Sequence, residues 1–136
     1  MFMLDTNIVI RIFRGPPPVL AGRLLRHQDQ ICVSAITAFE LHVGAQKPML
    51  TGSVREMERV QEFLRAVQVL PFDDLAAYQA AVVRAELEHA GSGIGAADTL
   101  IAGHAVATES TLVTNNMREF SRVERLSEFL QDWTTE

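Results

Sequence analysis

At 136 residues, 48% hydrophobic and with a formal charge of −5, the chain has the size and apolar fraction of one buried core. The negative balance and a pI near 5.3 exclude a basic surface that clings to any nucleic acid. No apolar stretch reaches the roughly 20 residues of a membrane-spanning helix, and the single Cys32 leaves no intrachain disulfide or cysteine-based zinc site. The Met-Phe-Met-Leu-Asp start has neither a basic flank nor a cleavable apolar segment, so the expectation is a cytoplasmic protein of one domain over residues 1–136, without a membrane partner. Its basic residues are eleven arginines and Lys47 alone. Arginine suits bidentate phosphate contacts, but an arginine-rich coding bias explains the imbalance equally well.

In chain order, residues 2 to 5 read as a short buried strand, followed by the capping types Thr6 and Asn7 and a helix through Phe13. Gly15 and the prolines 16–18 stop it, and a second helix is expected from Pro18 to about His27. Ile31 to Ala35 is the second strand. Ser34 or Thr37 caps a helix bearing Phe39, Glu40, Leu41 and Val43, which weakens near Gly44. Ser53-x-x-Glu56 is a capping-box pattern ahead of a helix ending near Ala66. Val67 to Phe72 is the third strand, with Pro71 marking its end or an edge position. Asp73 and Asp74 open a long helix that Gly91 ends. A small-residue helix, Ala96 to Thr108, should pack closely on a sheet. Thr111 to Thr114 is the fourth strand, Met117 to Phe120 a short helical segment, and the tail through Trp133 adds a last short strand or helix. Such alternation predicts an α/β fold with a mostly parallel sheet.

Four positions sit at strand ends or on the helices that follow: Asp5, Glu40, Asp98 and Asn116. Hard divalent cations need several oxygen ligands, and converging strand ends supply them from distant positions. Each residue also has a plainer reading. Asp5 suits a helix N-cap, Asp98 a first-turn acid facing the helix dipole, and Thr37-x-x-Glu40 a capping box. The last reading weakens if the helix starts at Ser34, since Glu40 then lies well inside it. Glu119 lies near enough in sequence to join the site, but a short helix leaves its direction open.

The segments Phe2-Met3-Leu4-Asp5-Thr6-Asn7-Ile8, Ser34 to Ala45 with Phe39-Glu40-Leu41, Arg84-Ala85-Glu86-Leu87, Ile94 to Ala105 with Ala97-Asp98-Thr99, and Leu112-Val113-Thr114-Asn115-Asn116-Met117-Arg118-Glu119-Phe120 together resemble the PIN-domain ribonucleases. Within them, the likeness is greatest to the VapC toxins of VapBC toxin–antitoxin pairs, and it spans nearly the whole chain in order. The resemblance implies a three-layer α/β/α sandwich with a central sheet of four to five strands. It implies Asp5, Glu40 and Asp98 as metal ligands and, with Asn116, as the catalytic set, holding Mg²⁺ or alternatively Mn²⁺. The family's fourth acid falls at Asn116, which offers a neutral carbonyl in place of a charge; some family members carry the same Asn-Asn pair. Thr6, Asn7 and Thr114 match the polar residues that support the ligands. Arg11, Arg14 and Arg84 match phosphate or antitoxin contacts, or are solvated helix charges. The implied reaction is metal-dependent hydrolysis of single-stranded or loop RNA, for example tRNA, leaving 5′-phosphate and 3′-hydroxyl ends. Also implied are translational inhibition, a VapB antitoxin placing a basic side chain in the acidic crevice, a homodimer built on helix faces such as those of Leu41, Val60 or Leu64, and a toxin–antitoxin hetero-oligomer.

Other chemistries find less support. Gly91-x-Gly93-x-Gly95 follows a helix, not a strand, so it is no dinucleotide turn, and Lys47 precedes Pro48 rather than belonging to a phosphate loop. An aspartyl-phosphate phosphatase would need a second Asp two residues after Asp5, where Asn7 stands. His104 on its alanine-rich helix reads as buried and hydrogen-bonded rather than catalytic. The remaining alternative is a catalytically weak PIN-like binding module, which Asn116 favours and the other three carboxylates oppose.

Overall fold

Strands buried on both faces read as continuous apolar runs, and Met3, Leu4, Cys32, Val33, Leu112 and Val113 are all fully buried. In the computed structural model, which describes residues 1–136, they belong to β1 (Phe2–Leu4), β2 (Ile31–Ser34) and β4 (Thr111–Val113). With β3 (Gln68–Leu70) and β5 (Leu130–Gln131) these form one sheet in the order β3-β2-β1-β4-β5. Every pairing is parallel, with Phe2 beside both Ile31 and Thr111.

Side chains alternate across the sheet and divide the core in two. Leu4, Val33 and Val113 face the layer made by α1 (Thr6–Phe13), α2 (Pro18–Arg26), α3 (Ala35–Leu50) and α4 (Arg55–Ala66). Met3, Cys32 and Leu112 face α5 (Asp74–His89), α6 (Ala96–Ala107) and α7 (Met117–Phe120). The expected three-layer sandwich is therefore present, with five strands, all parallel.

Several boundaries differ from the sequence reading, each for a local reason. Helix α3 does not fade at Gly44 but runs to Leu50 through Pro48. It ends in a Schellman turn: Gly52 (φ 92°) donates to the Met49 carbonyl and Ser53 to the Pro48 carbonyl, both at 3.0 Å. That turn engages the Ser53 backbone, so the capping box with Glu56 does not form, and Val54 precedes α4 without a side-chain cap. Strand β3 is confined to residues 68–70, because Val67 terminates α4 and Pro71 cannot extend the ladder from this edge position. The tail resolves into a strand, β5, after a 3₁₀ turn at Glu124–Leu126.

The small residues of α6 permit a closer approach to α5 than to the sheet. A Cβ on Gly103 would sit 2.3 Å from the Ala80 Cα. The helix faces expected to support dimerisation are used within the chain instead: Leu41 and Val60 are buried in the core, and Leu64 packs against it.

Candidate active site

The order of the sheet reverses at β1, with β2 on one side and β4 on the other. Ligand crevices in parallel sheets open at the C-terminal ends of the strands at such a point. Asp5 follows β1 there, and its N–H donates to the Val113 carbonyl at 2.8 Å, which fastens it to the end of β4. It occupies the N-cap position of α1, with φ −66° and ψ 152°, yet its side chain caps nothing. Thr114 Oγ1 instead donates to Asp5 Oδ2 at 2.8 Å. The carboxylate is buried, and burial raises its pKa to about 6, against the lowering pull of Thr114 and the Thr6 backbone and with a small push from Glu40 and Glu119.

Glu40 comes from the opposite wall. The true cap of α3 is Ser34, whose Oγ accepts from the Ile36 N–H at 3.0 Å. Glu40 is thus inside the helix, free of a capping role, and Thr6 Oγ1 donates to its Oε1 at 2.6 Å. The same Thr6 oxygen lies 3.1 Å from the buried Thr37 hydroxyl, so the first turn of α1 fixes a residue of α3. Asn7, grouped with Thr6 on sequence grounds, is exposed and makes no side-chain hydrogen bond.

Asp98 is the third residue of α6, and its Oδ2 lies 3.6 Å from where a Gly95 Cβ would stand. Its pKa is raised to about 7, first by burial, then by the charge of Asp5, a hydrogen bond with Glu119, and the charges of Glu119 and Glu40. Asp5 and Asp98 therefore both feel the charges of Glu40 and Glu119. The Asn116 N–H donates to Thr114 Oγ1 at 2.9 Å, and Asn116 Nδ2 donates to Glu119 Oε2 at 3.2 Å. Glu119 is the residue whose direction the sequence leaves open, and α7 turns it inward while Arg118 beside it is exposed. Its signal was the one-turn spacing from Asn116, which brings i and i+3 side chains together.

The donor set is oxygen throughout, as a hard cation requires. No three His, Cys, Asp or Glu side chains are arranged closely enough to hold a metal ion together. The match to a cation rests on donor type and on the mutual repulsion that a positive ion relieves. Of the candidate arginines, Arg84 pairs with Glu88 at 2.9 Å on the surface of α5, away from the carboxylates in its contacts. Arg11 on α1 and Arg14 just after it are exposed and have no side-chain partner, and Arg14 lines a groove together with Glu40. His104 is buried, with Nδ1 2.8 Å from Ser34 Oγ and its ring edge-on to Phe72, and burial lowers its pKa. It buttresses the Ser34 cap and does not enter the crevice.

Comparison with known proteins gives a consistent set of likenesses. Residues 2–126 match the PIN domain family. The chain is 38% identical to a tRNA(fMet)-specific endonuclease VapC of Shigella flexneri over 98% of both chains. It is 37% identical to ribonuclease VapC2 of Haemophilus influenzae, over 90% of this chain and 91% of that one. Among solved structures, a chain of the DNA-bound VapBC complex from Salmonella typhimurium superposes with a TM-score of 0.87 at 36% identity, covering 97% of each chain.

Proposed function

The chain belongs to the PIN-domain family and is a VapC endoribonuclease, the toxin of a toxin–antitoxin system, and from that premise we propose that it hydrolyses single-stranded or loop RNA at the crevice between β1 and β4, with tRNA as the leading substrate class. The observation that carries this reading is the gathering at the reversal point of the sheet of Asp5, held by Thr114, and Glu40, held by Thr6, with Asp98 near enough for their charges to raise its pKa. The S. flexneri relative named for tRNA(fMet) supports the substrate class. VapC nucleases of this family are in general metal-dependent. We infer Mg²⁺ as the cation, with Mn²⁺ as a substitute, because every donor is a hard oxygen.

Asp5, Glu40 and Asp98 would hold the cation, Glu119 would add a fourth charge, and Asn116 a neutral amide. When bound, a divalent cation supplies Lewis acidity toward a nonbridging phosphate oxygen and a more acidic water. The protein does the positioning. Thr114 holds Asp5, and Thr6 holds Glu40, so the carboxylate after β1 and the one on α3 keep fixed directions. The raised pKa of Asp98 would fall on binding a cation, whose charge favours the ionised form. A crevice at the strand ends grips a splayed backbone more easily than a stacked duplex.

The partner is a VapB-type antitoxin, as in the VapBC complexes to which the chain is similar. An arginine from that partner would satisfy the same carboxylates that a cation neutralises. A homodimer, and with the antitoxin a hetero-oligomer, is the proposed assembly. No helix is long and apolar enough to cross a membrane, and an RNA substrate together with the free thiol of Cys32 suits a cytoplasmic setting.

The test is incubation of total cellular RNA with purified antitoxin-free protein, with Mg²⁺, Mn²⁺ or EDTA, followed by sequencing of new 5′ ends. A few discrete cuts that need metal and vanish in Asp98→Ala support the reading. Cuts that survive in EDTA or in the variant would sink it.

A further inference from the structure

Between α1, α3 and α4 lies a space of about 360 Å³ whose wall includes Glu40, the carboxylate that Thr6 holds from α1. That volume falls within the roughly 300–1,000 Å³ typical of small-ligand pockets. Its floor is apolar, formed by Ile10, Phe13, Leu41 and Val60. Its rim carries three further charges: Arg14, Glu56 and Arg59.

The two arginines differ in what they do. Arg59 is fixed: its Nη1 donates to the Phe13 carbonyl at 3.2 Å, its guanidinium lies 5.8 Å from the Phe13 ring centroid, and Glu56 Oε2 is 3.9 Å away. Arg59 thus ties α4 to the end of α1 and meets the charge of Glu56. Arg14, the residue that ends α1, has no side-chain hydrogen bond or ion pair. It is the unmatched cation of the rim. The larger cavity between α5 and α6, about 530 Å³, offers no such group, because its Arg84 and Glu88 are paired with each other.

A molecule in this space abuts Glu40, which the proposed function places in the catalytic set. RNA approaching a chain of charge −5 is repelled overall, so a local cation beside the crevice has a defined task. We propose that the cavity between α1, α3 and α4 is a nucleotide subsite of the RNA strand next to the scissile phosphate, with the base on the apolar floor and its phosphate on Arg14. Arg59 is a positioning residue that holds the Phe13 wall. The inference rests on the nuclease reading and extends it to substrate grip.

Two readouts keep the two ideas apart. The first is anisotropy of a fluorescein-labelled, mixed-sequence single-stranded RNA hexamer titrated at several salt concentrations, which requires no turnover. Arg14→Ala is expected to weaken binding by about tenfold, as loss of one charge-assisted contact does, and to reduce the salt slope by about 0.7. The second is steady-state cleavage of a short RNA spanning a mapped cut, where the loss falls more on KM than on kcat. Arg59→Lys, which keeps the charge but loses the planar fork, should give a smaller loss of the same kind. Arg14 is exposed and unpartnered, so the alanine variant should fold as the parent does. Unchanged hexamer affinity and salt slope in Arg14→Ala would overturn the subsite. So would a variant with intact RNA binding but weakened antitoxin capture, since the groove would then accept protein. Cleavage retained by Asp98→Ala would strike at the nuclease reading and leave the binding result standing.

Discussion

Thr114 donates to Asp5 across 109 residues of sequence, Oγ1 to Oδ2 at 2.8 Å, and the same hydroxyl oxygen accepts the Asn116 N–H at 2.9 Å. One side chain therefore orients the acid after β1 and the turn after β4. A buried carboxylate without that donor would hold its proton more tightly. Thr114→Val should keep the fold and lower kcat/KM by about 10- to 100-fold, the usual cost of losing a residue that orients a metal ligand. Titration of activity against Mg²⁺ checks it, with the variant requiring more metal than the parent.

Asp98 and Glu119 lie close together, and a hydrogen bond with Glu119 and its charge are among the causes that raise the pKa of Asp98. Asp98→Ala should reduce cleavage by more than about 100-fold if the carboxylate is a ligand. Glu119→Gln should bring the pKa of Asp98 down from about 7, since the charge that raises it is lost and the new amide N–H can donate to the ionised carboxylate. Carboxyl-carbon NMR titration of parent and variant reads that change directly, and an unmoved Asp98 would show that Glu119 lies outside the site.

The raised values of Asp5, about 6, and Asp98, about 7, set a pH dependence of stability with a definite sign. Both folded values exceed the ordinary 3.8, so the native state binds more protons than the unfolded chain between them. The contribution is complete below the unfolded value and is lost as pH rises through about 6 and then about 7. In EDTA the urea midpoint should fall between pH 5 and pH 8. Mg²⁺ should restore it at pH 8, and binding near pH 6.5 should release protons measurable in weakly buffered solution.

Gly103 packs against the backbone of Ala80, where an added Cβ would lie 2.3 Å from both the Ala80 Cα and nitrogen. Backbone cannot swing aside as a side-chain tip can. Gly103→Ala should destabilise the protein by at least about 1–3 kcal/mol, the range for overpacking a core. Thermal melts check it, with Gly22→Ala inside α2, whose Cβ meets nothing within 4 Å, as the control that should be unchanged or slightly more stable.

The layer order and the strands before Asp5 and Asn116 were legible because local signals agreed with their surroundings. Apolar runs of strand length alternated with helical periodicity, and the acids stood at the ends of those runs. Ser53-x-x-Glu56 and Gly44 misled because a helix end is a contest between neighbours. The Schellman turn around Gly52 took the Ser53 N–H, the donor that Glu56 would have accepted in a capping box. Leu41 and Val60 misled about a dimer face because periodicity shows that a helix has an apolar side but not what that side meets.

By itself the sequence determined the α/β class, the parallel sheet and the acids available to a cation, since periodicity and residue type are local properties of the chain. Only the tertiary structure decided that Asp5 caps nothing, that Glu119 points inward and Asn7 outward, and that Arg14 is left unmatched beside Glu40. Those outcomes depend on side-chain direction and on partners far away in sequence, such as Thr114 for Asp5 and Thr6 for Glu40, and such contacts exist only once the strands have been brought side by side.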